Sequence, residues 1–206
     1  MARLKNSRLF GFSILLGYIL VTFVFIHPLE SLGAYAQTIF ESLFTILVIC
    51  LYRDHLKLKS SFNRRLLIQF IVALFFGFGI YRFAGYLHIG IPFDFTSHET
   101  ILFLLLIGPI LEEFLFRQAL WSAMQVMADN RLVAFIGTSA LFVFGHFFSY
   151  FFLPKEYQPF ILYQTAYVSI IALWWGFNIL KRGVITTTVI LHIAFNFGFY
   201  MGFRLI

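Results

Sequence analysis

Seven apolar stretches, each close to the roughly 20 residues a helix needs to cross a bilayer, follow one another along this chain. They run approximately over residues 9–26, 32–52, 66–87, 100–127, 131–152, 160–180 and 184–203. Turn-forming pairs punctuate the gaps: His27-Pro28, Ser60-Ser61, Ile91-Pro92, Asp129-Asn130, Leu153-Pro154 and Arg182-Gly183. Barrel strands would be shorter and would alternate in polarity, so helices are the expected spanning element. The pattern predicts an all-α, polytopic transmembrane bundle of about seven spans. Residues 1–99 are expected to supply about three N-terminal spans, and residues 100–206 a core of about four.

Composition agrees. Of 206 residues, 61% are hydrophobic and 12% charged, with a mean hydropathy of +0.88; soluble domains carry about 45–50% and 25%. The net charge of +6 could suit nucleic acid, but the basic residues gather at span ends, where they set orientation, so no nucleic-acid partner is expected. Arg3, Lys5, Arg8, Arg53, Lys57, Lys59, Arg64, Arg65, Arg131, Lys181 and Arg182 fall on one side, against Arg82, Lys155 and Arg204 on the other. The positive-inside rule then gives a multi-pass cell-membrane protein with a cytoplasmic N-terminus and an outside C-terminus. The basic start and Ala34-Tyr35-Ala36 resemble a cleavable signal, yet the first apolar run exceeds the usual 7–15 residues and is expected to stay as an anchor. The single cysteine, Cys50, excludes an intramolecular disulfide and a Cys-rich metal site.

The fourth stretch carries the costliest residues. Glu112, Glu113 and Arg117 lie inside it, and three such charges mid-membrane add up to about 8–10 kcal/mol before any pairing. Glu113 and Arg117 are four apart and share a helix face, so they can pair. Glu112 is turned about 100° away and faces something else. Gly108-Pro109 stands just before them. Proline removes a backbone donor, frees carbonyls about one turn earlier and is expected to kink the span.

Two more polar sites follow: His146, with Phe142 one turn earlier, and His192 with Asn196 four residues on. Counted from the outer ends, Glu112, His192 and His146 differ in depth by under roughly 10 Å, so one cavity can gather them. A poorly solvated carboxylate is a competent general base. A histidine beside it can share the water or move a proton, and a second histidine with a carboxamide can stabilise an oxyanion. The same Glu112, His146 and His192 could instead ligate Zn2+. No His-Glu-x-x-His helix is present, Asp54, Asp94 and Asp129 fall at span ends or loops, and Ser139 lacks a nucleophile elbow and reads as packing.

Glu112-Glu113-x-x-x-Arg117, Phe142-x-x-x-His146 and His192-x-x-x-Asn196, in that order, resemble the CPBP (Abi) family of membrane proteins. It includes type II CAAX prenyl endopeptidases and bacteriocin-processing or immunity proteins. The resemblance covers roughly residues 100–203. It implies an intramembrane endopeptidase in which Glu112 activates water with His146, His192 and Asn196 hold the oxyanion, and Glu113, Arg117 and Phe142 support them, the protease being either glutamate-type or metal-dependent. The expected partners are the lipid bilayer and a membrane-associated peptide or protein substrate. A non-catalytic binding or immunity role is the main alternative. A proton-relay transporter is less favoured, because no repeat or second Gly-Pro break appears. Glu41 and Gln37 could line the same cavity or join helices.

Overall fold

A computed structural model describes residues 7–25, 31–33, 35–55, 58 and 63–205. These form seven helices and no strand, in register with the seven apolar stretches. We number them α1 (Arg8–Val24), α2 (Ala36–Leu51), α3 (Arg64–Tyr86), α4 (residues 98–128), α5 (Arg131–Phe148), α6 (Gln158–Arg182) and α7 (Ile185–Arg204). Four of them, α3, α5, α6 and α7, are long and apolar enough to cross a membrane, while α1 and α2 are shorter apolar helices. The breaks at His27-Pro28 and Ser60-Ser61 lie outside the described residues.

Helix ends follow from local chemistry. Asn63, Ser97 and Asn130 accept backbone N–H bonds as N-caps of α3, α4 and α5. Asp129, in the left-handed region at φ 53°, closes α4 directly before the Asn130 cap. Gly183, at φ 67°, ends α6, its N–H donating to the Ile179 carbonyl.

The tightest helix contact joins α3 to α7. A Cβ added at Gly77 would stand 1.9 Å from the Phe195 carbonyl oxygen, and one at Gly198 would stand 1.9 Å from that of Leu74. Only hydrogen at both positions lets the two backbones meet, the usual device of membrane helix packing. This contact sets the position of α7, and with it His192 and Asn196. Side chains such as Phe75 on α3 and Leu43, Ile46 and Leu47 on α2 face outward, as a lipid-facing belt requires. Trp175, Phe142, Leu115 and Leu191 fill the interior.

Helix α4 stays helical through Gly108-Pro109, with a change of winding beside it. Residues Phe103–Ile107 are π-helical and Gly108–Glu113 are α-helical. A second π-helical segment follows over Phe114–Leu120. The Gly108 N–H bonds five residues back to the Phe103 carbonyl. In that winding the Leu104 carbonyl would pair with the nitrogen of Pro109, which has no hydrogen. The freed carbonyl is therefore available to another helix.

Candidate active site

Asn196 takes that carbonyl: its Nδ2 donates to the Leu104 oxygen at 2.6 Å. The proline of α4 and the carboxamide of α7 are thus two halves of one contact, and it ties the helix bearing Glu112 to the helix bearing His192. The second hydrogen of that Nδ2 is left over.

Glu112, His146 and His192 come together as expected. Glu112 Oε2 stands 4.0 Å from His146 Nε2 and 3.8 Å from His192 Nε2. It is buried and has no hydrogen-bond partner among the described residues. His146 Nδ1 lies 2.9 Å from the Phe142 carbonyl, which can only accept, so Nδ1 carries the proton. His192 Nδ1 lies 3.1 Å from Glu113 Oε1 and donates to it. Both rings therefore present Nε2 to Glu112, and in the neutral form each Nε2 holds a lone pair there.

Behind this trio lies a fully buried support. Glu113 Oε2 is 3.8 Å from Arg117 Nε, with both side chains sealed from solvent. Arg117 Nη1 donates to Ser139 Oγ at 3.3 Å and Nη2 to the Ala172 carbonyl at 3.1 Å. The guanidinium also sits 5.2 Å from the centre of the Phe142 ring. The i, i+4 pairing read from the sequence is present. Ser139, read there as a packing residue, also takes a hydrogen bond from Arg117.

Sequence reasoning missed Trp175. Its indole is fully buried and lies against His192, with ring centroids 4.4 Å apart and planes at 34°. A tryptophan in an apolar helix carries no local mark of such a role.

A cavity of about 550 Å³ opens onto Glu112, His146, His192 and Asn196, among walls that include Phe103, Tyr167 and Phe195. At its mouth the Tyr35 hydroxyl donates to Glu99. Gln37 and Glu41 face elsewhere: Gln37 Nε2 donates to Glu41 Oε1 at 3.1 Å within α2, and both line a second cavity of about 360 Å³. Among the described residues no three His, Cys, Asp or Glu side chains are disposed to hold a metal ion.

A helical membrane protein with a carboxylate between two histidines, at the foot of a cavity, defines the class. The family model described as type II CAAX prenyl endopeptidase Rce1-like matches residues 94–198, about half of the chain and all seven motif residues. The chain belongs to that family of intramembrane proteases. No curated protein and no solved structure matches it.

Proposed function

We propose that this protein is an intramembrane endopeptidase of the glutamate type, hydrolysing a peptide bond in a membrane-associated peptide or protein. The observation that carries this reading is the unpartnered Glu112 Oε2 facing two Nε2 atoms within 4.0 Å at the foot of a cavity.

A water between Glu112 and His146 gives its proton to the carboxylate as its oxygen adds to the scissile carbonyl carbon. The negative charge that develops on the carbonyl oxygen meets the spare N–H of Asn196 and, in the imidazolium form, the Nε2–H of His192. His146 relays the proton to the departing nitrogen. Glu113 and Arg117 orient His192 and take no part in bond making. Gly108-Pro109 would also bend α4 toward the cavity, with the N-terminal helices of residues 1–99 walling the core of residues 100–206. The excess of basic residues at one set of helix ends supports a cytoplasmic N-terminus and an outside C-terminus.

Family membership makes a lipidated peptide a natural first substrate. The purified protein in liposomes is given a panel of membrane-anchored peptides, farnesylated ones included, and products are read by mass spectrometry. Cleavage by the wild type and none by Glu112→Gln is the expected result. No cleavage of any peptide by either protein, with binding of intact peptides retained, would support a binding role instead.

A further inference from the structure

The second cavity meets the first at three residues, Glu112, Phe142 and His146, which line both. Its other walls come from α1, α2, Phe116 of α4, and the end of α5 with the residues just after it: Tyr18, Thr22, Gln37, Glu41 and Ser149 with several phenylalanines. The reacting groups thus stand at the junction of two arms, and α2 presents Thr38 to one arm and Gln37 and Glu41 to the other. The α1 and α2 residues lie outside the stretch matched by the family model.

Each arm has a carboxylate of its own besides Glu112: Glu99 in the first accepts from the Tyr35 hydroxyl, and Glu41 lies in the second. No lysine or arginine stands among the described residues lining the second, so the half-buried Glu41 carboxylate has Gln37 as its neighbour and no cation. A carboxylate held in poorly solvated surroundings without a countercharge favours a cationic ligand. Hydrolysis generates one. When water adds to the acyl carbon and the C–N bond breaks, the proton of the new carboxylic acid passes to the amine, leaving a carboxylate on one fragment and an ammonium on the other. The proposed oxyanion donors, His192 and Asn196, line only the first arm, whereas His146, the proposed proton donor to nitrogen, borders both.

Resting on the hydrolytic reading above, we propose that the second arm is the subsite for the amine-side fragment of the substrate. Glu41 is its specificity-determining residue, favouring an ammonium or a basic side chain next to the cleaved bond. The acyl side then occupies the first arm, where the proposed oxyanion donors lie.

Two measurements test this, and the first does not need catalysis. In a Cys50→Ser background, Thr22→Cys places a thiol in the second arm. Its labelling by aminoethyl methanethiosulfonate, an ammonium, is compared with that by the sulfonatoethyl reagent, an anion, each corrected for its rate with a free thiol. The cation is expected to react about tenfold faster, a preference that Glu41→Gln removes. Equal corrected rates would overturn the cation site. The second uses farnesyl-cysteine peptides with Lys, Gln or Glu directly after the cysteine. Glu41→Gln is expected to reduce the Lys-over-Glu cleavage ratio about tenfold, with the Gln peptide little changed. An equal fall for all three would overturn the subsite and place Glu41 in the chemical step. If wild type cleaves none of them, the hydrolytic reading loses this substrate class, and the labelling ratio alone decides the cation site.

Discussion

At the scale of single residues, the adjacent glutamates do different work because one turns toward the cavity and the other toward an arginine. Glu112→Gln removes the proposed base without changing side-chain volume and is expected to lower turnover by about 10²–10⁴-fold while leaving the unfolding temperature near that of wild type. Arg117→Met does the reverse. It leaves Glu113 sealed with His192 but without its cation, and breaking a buried pair on one side costs about 3–5 kcal/mol. Thermal unfolding in detergent should show that loss, part of it recovered when Glu113→Gln is added. Outside the membrane spans, Asp94 is held below the ordinary carboxylate range by the hydroxyl and backbone N–H of Thr96, at 2.6 and 2.9 Å. A depressed pKa contributes stability above the ordinary value of about 3.9 that is lost as pH falls through the folded one. Asp94→Asn should flatten that acid limb in a titration of the unfolding temperature below about pH 4.

At the scale of helices, α4 and α7 are coupled through a carbonyl that Pro109 leaves free and Asn196 fills. Asn196→Leu leaves that oxygen unsatisfied, at about 1–3 kcal/mol. Pro109→Ala returns a backbone donor to α4, so the double substitution should cost less than the two single ones together, with a coupling of about 0.5–3 kcal/mol in a double-mutant cycle. Strict additivity would mean that the two residues act independently. At the α3–α7 contact, Gly198→Ala pushes a methyl against the Leu74 carbonyl. It should destabilise the bundle by about 1–3 kcal/mol.

What the sequence disclosed divides along the same lines. Spacing alone made Glu113 and Arg117 partners and set Glu112 apart, because 3.6 residues per turn is a property of every helix. Helix number and ends were readable because the length of apolar runs and cap chemistry are local features: Asn130 and Gly183 announce their own roles. Contacts of side chains with distant backbone were not readable. Nothing near Asn196 points to Leu104, and nothing near Trp175 points to His192. The π-helical winding beside Pro109 was likewise hidden, since a proline announces a lost donor without saying how the helix winds around it. Gln37 and Glu41 were visible as polar residues in an apolar span, but the cavity they face depends on how α1, α2, α4 and α5 meet.

At the scale of the whole molecule, buried charge, freed carbonyl and glycine contact serve one arrangement: a carboxylate and two histidines held at a cavity floor inside an apolar bundle. The most direct test compares membrane and secreted peptides from cells carrying wild type, Glu112→Ala or Glu113→Ala, at matched protein levels and with unfolding temperatures recorded. The account predicts a peptide or protein tail that accumulates uncleaved in Glu112→Ala although that variant is folded, with Glu113→Ala failing through loss of stability. Unchanged processing in a folded Glu112→Ala that still supports the cell's phenotype would contradict it and leave a membrane-embedded binding protein in its place.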